Sequence, residues 1–154
     1  MKIDRKDQRI LRELQLDGRL TNQALAKRVN LSPSPCLRRV QRLEQQGIIQ
    51  GYTAIVNQHA SGYPITVFVQ VELARHDTET VRVFEQRVQE IDQIMDCFLM
   101  TGQRDYLLRV LAKSLEDYER FVRETLHTIP GIVSLNTSFA FGVVKQQRVL
   151  PTDL

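Results

Sequence analysis

The chain has 154 residues, 42% hydrophobic and 25% charged, with 21 Lys and Arg against 18 Asp and Glu, three His and two Cys. This is globular composition, long enough for one ordinary domain or two small ones, and it excludes disordered and fibrous classes. No stretch approaches the ~18 consecutive apolar residues of a membrane span, and the opening MKIDRKDQRI lacks the apolar run of a signal peptide, so the chain reads as soluble and cytoplasmic with no membrane partner.

Ile3, Ile10, Leu11 and Leu14 recur at helical spacing, which predicts a first helix from about Asp4 to Leu16 with Asp4 as cap and Asp7 beside the positive helix end. Asp17 and Gly18 supply a stop. Thr21 then caps a short second helix running through Val29, with Leu20 and Leu25 placed as a hydrophobic staple. Asn30 tolerates the left-handed conformation that ends a helix sharply, and Leu31 turns back toward the core. Ser32 is placed to accept from early amides of a third helix that carries Pro33 and Pro35 in its first turn and ends at Gly47. Two helices joined by so short a turn form a helix-turn-helix.

Residues 48–57 (IIQGYTAIVN) read as extended chain broken by Gly51, and Gln58 to Pro64 has linker composition, which places a boundary near Ser61. From Ile65 the period changes to two, and Thr66 to Leu73 alternates as a strand. Val81, Phe84, Val88 and Ile91 mark a helix; 94–101 and 105–112 are strands about a short turn; Leu115, Tyr118, Phe121, Val122, Leu126 and Ile129 mark another helix; Ile132 to Phe141 is a last strand, with Val143-Val144 as a possible further one. A shift of 38 residues lays Ala74 on Ala112, Phe84 on Val122, Val88 on Leu126, Ile91 on Ile129 and Ile94 on Ile132, as two βαβ halves would. The expected fold is therefore α+β: a helix-turn-helix, winged-helix-like domain over residues 1–50, an extended linker over 51–64 and a ferredoxin-like βαββαβ domain over 65–154. Both faces of the sheet are expected to be apolar, with the uncovered face packed against a second copy in a homodimer or covered by the C-terminal tail.

Charge is unevenly divided. Residues 1–50 hold 11 Lys and Arg against 5 Asp and Glu, a net +6, and residues 51–154 carry net −3. On the third helix, Cys36, Val40, Leu43 and Gly47 share the arc expected to face the core, while Ser34, Arg38, Gln41 and Gln45 share the opposite arc, flanked by Pro35, Arg42 and Arg39. Arginine donates to guanine O6 and N7 and glutamine pairs with adenine, so this surface suits a major groove of double-stranded DNA. Lys27 and Arg28, with Lys2, Arg5 and Lys6, are candidates for phosphate contacts or are solvated charges. Cys36 and Cys97, without a CxxC, read as small buried hydrophobes rather than a bridge or metal site. His59, His76 and His127 have no spaced partners, and neither a metal-ligand cluster nor a Gly-rich phosphate loop appears, so the sequence gives an enzyme, a metal or a cofactor little support.

The run from Leu25 to Tyr52, LAKRVNLSPSPCLRRVQRLEQQGIIQGY, with the opening IDRKDQRIL, the turn Thr101-Gly102-Gln103-Arg104-Asp105-Tyr106-Leu107 and the corner Ile129-Pro130-Gly131-Ile132, resembles the Lrp/AsnC family of prokaryotic transcription regulators, nearest its leucine-responsive branch. The resemblance spans essentially the whole chain. It implies a DNA-binding head on a regulatory domain that dimerises, often assembles to tetramers or octamers, and binds a small effector, commonly an amino acid. The effector positions it implies are Thr101, Gly102, Gln103, Arg104, Asp105 and Tyr106, where Gly102 would admit a close approach, turn amides would hold a carboxylate and Asp105 would accept from an ammonium. Read without the resemblance, the same residues are an ordinary hairpin turn. The chain departs from the leucine-responsive pattern at Gln103-Arg104, where an acid and an aromatic would stand.

Overall fold

The computed structural model describes residues 3–151. Three helices come first, α1 (Arg5–Leu16), α2 (Asn22–Arg28) and α3 (Pro33–Gln45). They are followed by β1 (Ile65–Leu73), α4 (Thr78–Gln89), β2 (Ile94–Leu99), β3 (Tyr106–Ala112), α5 (Leu115–Glu124), a 3-10 turn (Leu126–Thr128) and β4 (Ile132–Phe139). The chain divides into two compact units, Met1–Ile55 with Val144–Leu154, and Val56–Val143.

In the first unit the capping chemistry sets the helices. Asp7 N donates to Asp4 Oδ1 at 2.8 Å while Asp4 N donates to Asp7 Oδ2 at 3.3 Å, a reciprocal capping box that starts α1. Thr21 Oγ1 accepts from Ala24 N at 3.2 Å at the head of α2. That helix ends through Asn30 at φ 53°, with Leu31 N donating to Ala26 O at 2.9 Å and Asn30 N to Lys27 O at 3.3 Å. The same pair of bonds closes α3 about Gly47 at φ 68°, from Ile48 N to Leu43 O at 3.0 Å and from Gly47 N to Glu44 O at 2.9 Å. Both helices thus stop in the left-handed turn that satisfies their last carbonyls. Ser32 makes no side-chain capping bond, contrary to expectation. The third helical position is Pro35, which has no amide to donate, so the acceptor lacks its usual partner. Ile10, Leu25, Ala26, Val29, Cys36 and Leu43 form the buried core of the unit.

Among the described residues this unit contains no strand, so the winged element expected beyond α3 is extended chain without a ladder. The expected linker is also an ordered turn. Ala60 N donates to Asn57 Oδ1 at 2.9 Å, and Gln58 Nε2 donates to Tyr63 O at 2.8 Å and to Thr66 Oγ1 at 2.9 Å. These bonds tie residues 57–63 to β1, and the division between units falls at Ile55/Val56 rather than near Ser61.

The second unit is the expected βαββαβ sandwich. Its antiparallel sheet has the order β2-β3-β1-β4, with β1 central because both neighbours pair along it. Val67, Val69 and Val71 of β1 and Leu108 and Val110 of β3 are wholly buried with Phe84 of α4 and Phe121 of α5. Each such side chain contributes about 1.5–3 kcal/mol on leaving water. The other sheet face is not uniformly apolar. Phe68, Phe98, Leu107 and Leu111 share it with Gln70, Glu72, Asn136 and the ion pair Arg109–Asp96. The tail from Val144 groups with the first unit, where Leu150 N donates to Gln15 Oε1 at 2.9 Å.

Three elements end earlier than the periodicity predicts. The strand 94–101 stops at Leu99, α5 stops at Glu124 and gives way to the 3-10 turn, and β4 stops at Phe139 with no strand at Val143-Val144. Apolar spacing continues past each end, but Ala140 N makes the last bond, to Thr66 O at 3.0 Å, where β1 itself begins.

Gly131, at φ 89°, turns the chain into β4, and a Cβ there would lie 2.6 Å from Thr80 Cγ2. Gly131→Ala combines left-handed strain with that clash and is expected to destabilise the second unit by about 1–3 kcal/mol. The drop is read as a lower urea midpoint by circular dichroism; an unchanged midpoint refutes it.

Candidate nucleic-acid interface and effector pocket

The exposed stripe of α3 is as the spacing predicts: Ser34, Arg38, Gln41 and Gln45 are exposed, while Cys36 and Leu43 are buried and anchor the opposite side. Asn22 Nδ2 of α2 donates to Pro33 O at 2.9 Å, fixing the start of α3 against the preceding helix. Pro35, Arg38, Arg39 and Arg42 line a shallow hollow of about 320 Å³ on α3.

Two of the expected contact residues are engaged inside the unit. Arg39 Nη1 donates to Asp4 Oδ2 and to Asp7 Oδ1, each at 2.7 Å, and Arg42 Nη2 donates to Asp7 Oδ2 at 2.7 Å. Asp7 is 1% exposed, whereas the Arg39 and Arg42 side chains keep 28% and 40% of their surface in water. Its amide bond from Asp7 and then the Arg39 guanidinium hold the Asp4 carboxyl below the ordinary range, and the Asp4 and Asp7 carboxylates push the Arg39 pKa up. Arg42 Nε is buried and has no acceptor among the described residues.

The flanking cations also differ. Arg28 pairs with Glu13 at 3.0 Å, and Lys6 Nζ donates to Val29 O and Asn30 O at 3.0 and 3.3 Å, closing the end of α2. Lys27 and Arg5 are exposed, and Lys2 lies outside the described residues.

In the second unit a pocket of about 460 Å³ opens on the sheet face away from the helices, lined by Gln70, Met100, Thr101, Gln103, Arg104, Tyr106, Leu107 and Asn136. Four of the six expected effector positions line it. Gly102 and Asp105 do not. Gly102, at φ 118°, makes the turn between β2 and β3. Asp105 has both oxygens taken: Leu73 N donates to Oδ2 and His76 Nε2 pairs with Oδ1, each at 2.7 Å. The Leu73 amide first, then His76, keeps this carboxyl below its ordinary pKa. Asp105 is thus a brace between the turn and the end of β1 rather than a group open to an ammonium. Arg104 bonds Glu72 and, at 2.9 Å, Ser134 Oγ, so the guanidinium lies along the open face instead of in bulk water.

The motif reading missed Gln70, Met100, Leu107 and Asn136. Gln70 and Asn136 pair across β1 and β4 on the open face; the alternation of β1 sets Gln70 on the side opposite buried Val69 and Val71, but its pairing with Asn136 joins positions far apart in the chain. Of the thiols, Cys36 is buried as expected, whereas Cys97 is exposed, contrary to expectation.

The profile described as "Winged helix-turn-helix DNA-binding" matches residues 3–50, and that of the "Lrp/AsnC ligand binding domain" matches residues 66–150. The leucine-responsive regulatory protein of Klebsiella pneumoniae is 43% identical over 148 residues, covering 96% of this chain and 90% of the relative. A transcriptional regulator from Neisseria meningitidis, solved as a complex with L-Met, superposes with a TM-score of 0.94 at 34% identity, over 99% of this chain and 98% of that one. The feast or famine regulatory protein of Mycobacterium tuberculosis, complexed with L-methionine, gives 0.85 at 28% identity, over 96% and 97%. With both halves matched in order by a helix-turn-helix and a ligand-binding domain, the chain belongs to the Lrp/AsnC family of DNA-binding transcription regulators.

Proposed function

We propose that α3 lies in the major groove of double-stranded DNA, with Ser34, Pro35, Arg38, Gln41 and Gln45 toward the base edges and Lys27 and Arg28 toward phosphates. The observation that carries this reading is the exposed polar stripe on a helix whose other side is locked into the core. Arg39 and Arg42 belong to the same surface but are set by their carboxylates.

The pocket beside Thr101 and Arg104 takes a free amino acid. Gln70 and Asn136 each offer a donor and an acceptor, as a zwitterion requires, Arg104 supplies positive charge for the carboxylate, and Met100 and Leu107 offer an apolar wall for the side chain. Two structural relatives hold L-methionine, which makes it the first ligand to try. The partly apolar open face, with Phe98 51% exposed, supports a homodimer that assembles further to tetramers or octamers. The protein works in the cytoplasm, as a regulator and not as an enzyme, and needs no metal or cofactor. Effector binding changes DNA affinity through any difference in its affinity for two assembly states, and about 1–3 kcal/mol of coupling suffices.

Arg38→Ala is expected to cost about 1–3 kcal/mol at a cognate site and to relax sequence preference at one base pair, with the head still folded. Footprinting identical to that of the unaltered protein refutes the assignment of α3. For the pocket, L-methionine at 100 times its dissociation constant should add about 2.7 kcal/mol to stability, visible as a raised melting temperature and a changed sedimentation profile. Asn136→Leu should abolish that response without lowering the ligand-free melting temperature; a full response in the variant refutes the pocket.

A further inference from the structure

The buried carboxylate of Asp7 and the cap carboxylate of Asp4 stand against two arginines of the proposed DNA-facing helix, and the four formal charges cancel. Each Asp7 oxygen carries one guanidinium at 2.7 Å, and Arg39 spans to Asp4 at the same distance. Salt-dependent affinity for a polyanion comes from net positive charge that displaces condensed counterions. A guanidinium already neutralised in place adds little to that term. Arg38, on the same turn of helix, makes no ion pair or hydrogen bond among the described residues, so no carboxylate offsets its charge.

We infer that Asp7, assisted by Asp4, is a specificity-determining residue: it neutralises Arg39 and Arg42 where they stand, so that sequence-independent attraction to the phosphate backbone is held down and base contacts from Arg38, Gln41 and Gln45 decide where the head binds. A regulator that must find few sites among many gains from weak background binding as much as from strong cognate binding. The two carboxylates reach this without giving up the guanidinium planes, which remain 28% and 40% exposed along the hollow beside Arg38. Asp7 therefore acts on recognition from beneath the helix, through the arginines it holds. The inference rests on the proposed placement of α3 in the groove.

The test is the salt dependence of binding by the full chain to a random-sequence duplex, between about 50 and 200 mM salt. Asp4→Asn and Asp7→Asn each leave the quartet one charge more positive and are expected to steepen the slope of log K against log salt by about 0.9 per bound head, and the double variant by about twice that. Each single variant should then lose about 3.5-fold more affinity over this range than the unaltered protein. Asp7→Asn with Arg42→Gln restores neutrality and should restore the original slope. Asparagine caps a helix as well as aspartate, so Asp4→Asn keeps α1 and gives the reading even where Asp7→Asn does not fold. Equal slopes for Asp4→Asn and the unaltered protein, or a double-neutral variant that stays steep, would overturn the inference and leave the quartet as a brace between α1 and α3. Failure of the groove assignment is separate, since it appears as an Arg38→Ala variant with unchanged footprints.

Discussion

The first unit is organised around one ion cluster. A carboxylate with 1% of its surface exposed holds two guanidinium groups, and through them the start of α1 and the middle of α3 are fixed to each other. The apolar core of this unit is small, with six buried residues among those described, and helices of 7 to 13 residues have little stability apart from packing. A buried ion pair adds modest net stability, but removing one partner of a fully buried pair costs about 3–5 kcal/mol; here the exposure of the arginines screens part of that cost. The cluster thus defines which way α3 faces more than how tightly the unit folds. Orientation is what a recognition helix needs.

The second unit uses the opposite means. Its strands and helices share an extensive apolar layer, and β1 pairs on both edges, so the sheet is rigid where the pocket forms. Gln70, Leu107 and Asn136 are held on three adjacent strands, while Thr101, Gln103 and Arg104 come from one turn. A ligand that bonds both groups bridges the sheet and the turn. Asp105 pins the turn to Leu73 N and His76.

Much of this was legible in the residues because it depends on local chemistry. Asn30 and Gly47 announced the left-handed helix ends, the change from helical to alternating spacing at Ile65 announced the second unit, and the 38-residue repeat announced its topology. The stripe from Ser34 to Gln45 was equally readable, since helical geometry alone sorts it from Cys36 and Leu43. What could not be read depends on distance across the fold. Nothing in the spacing tells that Arg39 and Arg42 meet an acid more than 30 positions earlier, that Asp105 faces β1 instead of the pocket, or that Gln70 lies opposite Asn136. Ser32 shows the limit of even a local rule, since the proline three positions on removed the donor it needed.

The chain enters the second unit after Ile55 and returns to the first at Val144, so one compact body is inserted within another rather than appended to it. Such an insertion has two covalent junctions. The segment after Val144, with Leu150 bonded to Gln15, therefore closes a large loop onto α1. Loop-closure entropy grows only slowly with length, so this return costs little more than closure of a much shorter loop. Within the first unit that bond meets the C-terminal end of α1, whose other end supplies the carboxylates that hold Arg39 and Arg42.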